Sequence, residues 1–375
     1  MKYIDHFNAK VIGCEKAGAG YAVFLDHTLF YAEAGGQPSD QGTIAGINLI
    51  DLQNTSAGVA HILPSPLETG SLVECKIDFK RRFLFMQHHT AEHILSGLAG
   101  KLYGYKNVGS HIGKDCSTAD FDGELTPEQV DHLEYILNQA IWENVPVREK
   151  IIQPDENINY QYRSKSNIES DIRIITVEGY DNCACCGSHV SFTGEIGVAK
   201  LIDAKRYKGG TRISLLCGAP ALRDYAKKQQ LIRGLCGSLS SAESDLSIRV
   251  TDLSAQNERL SSELAQMRLR LFKQHIQNME TGSGFVWLIW QDAEKKDIPI
   301  LASALAEKTG NGMVLLPLDP EGYYAAIASL SGKAKEIAAH ISAACGGKGG
   351  GSQILWQGKL ERLPTDSQLG VGVRS

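Results

Sequence analysis

From residue 225 to residue 278 the chain keeps a seven-residue rhythm, with almost no glycine or proline after Gly237. Leu239, Leu246, Leu253, Leu260 and Met267 recur at every seventh position, and Cys236, Glu243, Val250, Asn257, Leu264 and Leu271 interleave at the same interval. With the first set at d and the second at a, the pattern is a coiled-coil seam, flawed at Glu243 and polar at Asn257, a substitution that fixes register. A segment of this kind extends as a rod, so whatever cores the chain builds lie before it and after it. The alternative is one long amphipathic helix packed on its own domain. Thr281–Gly284 (TGSG) is the expected terminator. The heptad predicts a homodimer formed through the coiled coil or the C-terminal domain, with an intrachain helical hairpin as the other arrangement.

The flanking segments read differently. Residues 1–80 carry short apolar alternations (Ala9–Cys14, Tyr21–Phe24, Val59–Leu63, Leu72–Ile77) separated by Gly, Pro, Asn and Asp, which predicts a small β-barrel or sandwich. Lys80 opens a helix that runs through Leu95 and Leu98 to Tyr103. Between there and Leu216, strands at Arg173–Val177, Gly197–Ile202 and Thr211–Leu216 mix with a helix near Pro127–Glu143, an α+β pattern. Beyond the rod, strands at Phe285–Trp290, Gly312–Pro317 and Tyr323–Ser329 alternate with helices at Ile298–Lys308 and Lys333–Ala344. This α/β unit closes on the glycine-rich run Cys345–Gly351, expected as a loop around Lys348.

Composition limits the class. At 375 residues, 43% hydrophobic and 22% charged, this is an ordinary globular chain with room for two or three cores. No apolar run is long enough to span a membrane and the N-terminus has no signal-peptide core, which points to the cytoplasm. Nine cysteines, three of them crowded at Cys183, Cys185 and Cys186, favour thiols or metal ligation over disulfides. A net charge of −5 argues against coating a nucleic acid, though not against a local basic patch.

Chemistry concentrates in two short stretches. His89 and His93, in HHTAEH, stand four apart and so share one face of a helix within reach of a single ion. About ninety residues on, Cys185 and His189 of CCGSH offer a thiolate and an imidazole, with Gly187 between them. Three imidazoles and one thiolate suit tetrahedral Zn²⁺. A competing subset is the CxxC of Cys183 and Cys186. Counting Glu92 the helix also reads HxxEH, the pattern of a metallopeptidase with Glu92 as general base. No second carboxylate ligand suggests itself downstream, and that scheme would leave the Cys/His cluster unexplained.

Taken together these residues resemble a known family. His89–His93 followed by Cys185–Val190 resembles the HTAxH and CGGTHV motifs of the alanyl-tRNA synthetase editing domain. Leu25–Gly42 (LDHTLFYAEAGGQPSDQG) is similar to its FYxExGGQxxDxG segment, and Arg212–Leu222 to the segment that closes it. The Gly346–Gly351 run, after the helix that begins at Gly332, resembles the DHH-associated C-terminal domain. With no aminoacylation domain ahead of the barrel, the chain resembles the free-standing editing proteins of the long AlaX type. Two departures stand out: Cys186 replaces a glycine of CGGTH and Ser188 a threonine, and the Gln-containing stretch after the helix is replaced by VGSHIG.

The resemblance implies an α+β multidomain fold: an N-terminal β-barrel (1–80), a zinc-binding editing domain (81–222), a coiled-coil helix (223–280) and a C-terminal α/β DHH-associated domain (281–375). It implies one Zn²⁺ held by His89, His93, Cys185 and His189. It also implies hydrolysis in trans of mischarged tRNA(Ala), carrying serine and in some cases glycine. Ser110, His111 and Glu92 are the candidates for orienting water or substrate. Sparing alanine while accepting serine demands a polar pocket, for which Ser110 and Thr118 are the candidates, because size exclusion cannot reject the smaller group. The acceptor stem of tRNA(Ala) is expected at Gly35, Gly36 and Gln37 and at the basic residues Lys205, Arg206, Lys208, Arg212 and Lys348. A non-catalytic tRNA-binding module with structural zinc is the rival reading.

Overall fold

The computed structural model describes residues 3–153, 161–164, 172–279, 284–318 and 322–365. It is a mixed α+β chain in two compact units, Met1–Arg233 and Gly234–Ser375. Among the described residues no helix is long and apolar enough to cross a membrane.

The first unit begins with a seven-stranded antiparallel sheet built from residues 6–77. Its central strand, His6–Ala17, pairs with Gly20–Leu25 on one side and Leu72–Ile77 on the other, and a bulge between Val11 and Gly13 bends it. Alternating residues (Ala9, Val11, Val23, Leu63, Val73, Cys75, Ile77) close around one apolar cluster with Phe30, Ile44 and Leu52. The strand order is linear. The end strands Ile47–Asn48 and Asp51–Thr55 are linked by the chain itself, with Leu49 N–H on Gly42 O and Ile50 N–H on Ile62 O.

Helix α1 (Phe79–Tyr103) follows, one residue longer than the pattern predicted. Asp78 caps its first turn by accepting from Arg81 N–H, and Gly104 in the left-handed region closes its last. The helix is buried almost all round from Arg82 to Ala99, which a surface helix cannot be. Its apolar residues Met86, Ile94, Leu95 and Leu98 share a core with Leu133, Leu137 and Ile141 of α2 (Pro127–Glu143) and with a four-stranded antiparallel sheet. That sheet runs in the order 199–207, 210–217, 117–121, 107–111. A three-stranded sheet, 147–152, 172–177, 181–184, lies beside it. The strands Asn107–His111 and Ser117–Phe121 escaped the sequence reading because glycine, serine and aspartate break their apolar alternation.

The heptad region is not one rod. Helix α3 (Ala219–Leu239) and helix α4 (Leu246–Asn278) are separated by Ser240, with φ +47°, and by a single 3₁₀ turn at Glu243–Asp245. The interruption falls where Glu243 occupied an a position, so no apolar side chain is there to favour a continuous seam. The expected terminator at 281–283 lies outside the described residues. Helix α4 instead ends at Asn278, where Lys308 Nζ donates to the carbonyls of Ile276, Gln277 and Met279.

In the second unit a five-stranded sheet runs 284–289, 310–317, 323–329, 355–360, 347–351. Its first pair is parallel and the rest antiparallel. Helices α5 (Ile298–Thr309) and α6 (Ala334–Cys345) cover it. The run expected as a glycine-rich loop is an edge strand, Gly347–Gly351. Gly349 has a packing reason: a Cβ there would lie 2.4 Å from the Trp356 ring and 2.3 Å from Gln357 O.

Candidate metal centre

Two half-sites meet inside the first unit. His89 and His93, one turn apart on the buried face of α1, face Cys185 and His189 from the loop that follows the strand Asp181–Ala184. One ligand atom from each of the four lies within 4.8 Å of the others. Cys185 Sγ is 3.4 Å from His89 Nε2 and 3.4 Å from His189 Nε2. Cys186 belongs to neither cluster of ligand-type residues among the described residues; Cys183 joins His93 and Asp181 in the second. The CxxC pair is therefore not brought together, and CxxxH is.

Two of the imidazoles meet a partner from outside through their other nitrogen. His89 Nδ1 lies 2.9 Å from Gln37 Oε1, and His189 Nδ1 lies 3.3 Å from Thr90 Oγ1. His93 Nδ1 is 3.3 Å from Asp181 Oδ2, misaligned for a hydrogen bond and without another partner. Asp181 is itself fixed by a bidentate Arg163. The strand carrying Asp181 packs directly on α1 because Gly97 has no side chain: a Cβ there would lie 2.4 Å from Tyr180 O. Partners of this kind are what metal-ligating histidines require to fix ring orientation and tautomer.

The groups of the cluster shift one another, and the thiol gains most. Burial pushes the Cys185 thiol up, but the charge of His89 and hydrogen bonds to His189, His89 and His93 together hold it far below the usual thiol range. Burial lowers His93, and the Asp181 and Cys185 contacts more than reverse that. His189 is pushed down by burial and by repulsion from His89 and His93, which leaves a neutral ring, the form that binds metal. The remaining donor-set test is space. A Cβ on Gly187 would come within 2.1 Å of His89 Cε1, so glycine is required there for room and not for backbone angle.

The other residues singled out by sequence lie as follows. His88 is a buried tie, with Nδ1 donating to Leu84 O and Nε2 accepting from Cys217 N–H. Glu92 is buried, not a solvated helix residue, and its Oε1 accepts from Ser96 Oγ at 2.8 Å and Asn107 Nδ2 at 2.6 Å. Ser110 and the exposed His111 sit on the strand Asn107–His111, opposite Ala119 and Thr118. Gly35 and Gly36, with φ +59° and +82°, form a tight turn that brings Ala34 against Gln37. Gln37 is fully buried beside the cluster. Arg212 is paired bidentately with Asp120 and stacked on Tyr207, Arg206 pairs with Glu124, and Lys205 lies 3.8 Å from Asp203. Lys208 faces the Tyr207 ring, and Lys348 projects from the exposed edge strand. A cavity of about 220 Å³ opens beside His189, lined among others by Tyr31, Arg82, Arg173, Cys186 and Ser188.

Sequence reasoning missed Asp181, Thr90 and Arg163 and did not place Gln37 beside the cluster. Only Asp181 left a trace, as an acidic residue two positions ahead of the Cys cluster.

Known proteins bear on these residues. The family described as the threonyl and alanyl tRNA synthetase second additional domain matches residues 172–214, which include Cys185 and His189. The chain is 27% identical to alanyl-tRNA editing protein Aarsd1 of Danio rerio, over 96% of this chain and 92% of that protein. It is 26% identical to alanyl-tRNA editing protein AlaX-L of Pyrococcus horikoshii, over 97% and 94%. Against the alanine–tRNA ligase of Ignicoccus hospitalis the identity is 28% over the whole chain, which spans 42% of that enzyme.

Proposed function

We propose that the chain, which is similar over nearly its whole length to alanyl-tRNA editing proteins, is a trans-editing deacylase. It hydrolyses mischarged tRNA(Ala), with Ser-tRNA(Ala) as the principal substrate and Gly-tRNA(Ala) as a second, in the cytoplasm. The observation that carries the proposal is the convergence of His89, His93, Cys185 and His189, with His89 and His189 met from behind by Gln37 and Thr90 and His93 facing Asp181. The donor set fits one Zn²⁺ per chain: borderline-soft N₃S, buried, with the thiol in its anionic form. When bound, zinc supplies Lewis-acid polarisation of an ester carbonyl or a water acidified to a pKa of about 7.

The chain's own residues do the rest. The cavity beside His189 is smaller than the roughly 300–1,000 Å³ usual for drug-sized ligands, which suits a single small aminoacyl group rather than a peptide. We assign Ser110 and Thr118 to the hydroxyl that distinguishes serine from alanine. Unpaired polar groups in an alanine complex give discrimination of about 10⁴-fold. Glu92 and His111 are assigned to orienting water, Glu92 through its bonds to Ser96 and Asn107. For the acceptor stem, Lys205, Arg206 and Lys208 are exposed, and Arg212 and Lys348 extend the same role. Exposed ion pairs are worth only about 0–1 kcal/mol, so a phosphate can displace them. Gly35 and Gly36 are assigned to the same acceptor stem. In this reading residues 1–80 form the barrel-like platform and 81–222 the editing domain. Residues 223–280 form the dimerising helical region through the exposed face of α4, and 281–375 the DHH-associated domain.

The test is deacylation of Ser-, Gly- and Ala-tRNA(Ala) side by side, with metal content quantified. We expect serine release, alanine spared, and loss of at least 100-fold in His93→Ala and in chelated protein. Normal hydrolysis by a folded, metal-free protein would refute the metal assignment. Binding of tRNA without hydrolysis in either form would favour the module with structural zinc, and Glu92-dependent cleavage of unfolded peptides would favour a peptidase.

A further inference from the structure

We propose that Gln37 is a positioning residue of the metal centre: one buried amide, delivered by the N-terminal sheet, that orients His89 and locks the CCGSH loop against it. This rests on reading the cluster as a zinc site, and it gives Gln37 a role other than contact with tRNA.

The turn that carries Gln37 is held on both sides. Ala34 and Gln37 exchange backbone hydrogen bonds across Gly35 and Gly36, at 3.3 and 3.0 Å. Gly36 is pressed onto the strand Asn107–His111, where its carbonyl accepts from Ile112 N–H at 2.8 Å and a Cβ would lie 2.5 Å from Ser110 O. The side chain therefore points one way, into the protein, with no exposed surface.

Its hydrogen bonds leave one assignment. Ser188 N–H, 3.0 Å away, can only donate, so the atom it meets is the amide oxygen. The same oxygen is 2.9 Å from His89 Nδ1, which must then carry the proton. In the neutral, metal-binding form of His89 the lone pair then lies on Nε2, the nitrogen that faces Cys185 Sγ at 3.4 Å. The amide nitrogen donates to Ser188 Oγ at 2.8 Å. One side chain thus fixes the tautomer of a helix ligand and the backbone and side chain of the opposite half-site, 52 and 151 positions away in sequence. Gly187 makes room for the contact, since a Cβ there would also lie 3.0 Å from Gln37 Oε1. Outer partners of metal-bound histidines typically change affinity about 10- to 100-fold when removed.

The experiment measures Zn²⁺ affinity of the full chain by competition with a chromophoric chelator, beside ¹⁵N-histidine spectra of the metal-free protein. Gln37→Met, similar in shape but without either hydrogen-bonding group, is expected to bind zinc about 10- to 100-fold more weakly. His89 should also lose its single Nδ1–H tautomer. Gln37→Glu keeps an oxygen for His89 Nδ1 and Ser188 N–H and is expected to recover most of the affinity. Should the methionine variant not fold, Gln37→Asn, which withdraws the amide by one methylene, carries the same expectation. Wild-type affinity in Gln37→Met, or glutamate as weak as methionine, would overturn the assignment while leaving the zinc site standing. A wild-type chain that binds no zinc would overturn both.

Discussion

Imidazole chemistry divides the histidines of this chain by what their second nitrogen finds. At the cluster the outer nitrogens of His89 and His189 meet Gln37 and Thr90, and the inner ones meet a thiol. His61, far from the cluster in sequence, uses both nitrogens for the fold: Nδ1 donates to Val23 O at 3.0 Å and Nε2 meets Thr28 Oγ1 at 2.9 Å. Burial pushes its pKa below the usual value, against the pull of the Val23 carbonyl. The unfolded chain takes up this proton near pH 6.5 and the folded chain only at lower pH. The contribution of His61 is therefore complete above pH 6.5 and declines as pH falls from there towards the folded value. Between pH 7.5 and 5.5, we expect the urea midpoint of the metal-free wild type to fall further than that of His61→Gln; parallel declines would contradict this. The spacing of His89 and His93 was legible because a helix converts four positions into one face. The role of Gln37 was not, because a turn motif carries no mark of what its side chain will touch.

At the scale of elements, local rules read well wherever sequence-near residues decide. Helix α2 begins where Thr126-Pro127 and Gln129 predict: Gln129 N–H meets Thr126 Oγ1 at 3.3 Å and Thr126 N–H meets Gln129 Oε1 at 3.0 Å. Thr126→Ala removes one arm of this capping box and should cost about 1 kcal/mol, read as a lower thermal midpoint with the metal centre unaffected. The break between α3 and α4 shows the opposite case. Leu239 ends one helix and Leu246 begins the next, so the seven-residue phase survives across a stretch that is not helical. Periodicity measures spacing, and spacing was preserved. The edge strand Gly347–Gly351 escaped for a related reason: Gly349 answers to Trp356 and Gln357 on the neighbouring strand, which its own neighbours in sequence do not reveal.

For the whole molecule the unfinished surface is helix α4. Phe272 and Ile276 near its end enter a core with Leu269 packed against it, while Val250, Leu253, Leu260, Leu264, Met267 and Leu271 remain exposed. An apolar stripe of heptad spacing is the seam a second copy would cover. Sedimentation should therefore find the wild-type chain as a dimer and Leu260→Glu/Leu264→Glu as a monomer. A monomeric wild type would rule out this use of the stripe.

The sequence by itself determined the helix carrying His89 and His93, the CxxxH partner half-site, the mixed α+β class and the likeness to editing proteins. These depend on spacing, composition and motif order, all of which are local or linear. Only the tertiary structure decided that the two half-sites meet and that CxxC does not. It also decided that Gln37, Thr90 and Asp181 stand behind the imidazoles and that the heptad region breaks in two. Each of these is settled by contacts between residues from 52 to 100 positions apart, or by packing that a repeat cannot report. Chain geometry brings such pairs together; nothing in the neighbourhood of either partner records the meeting.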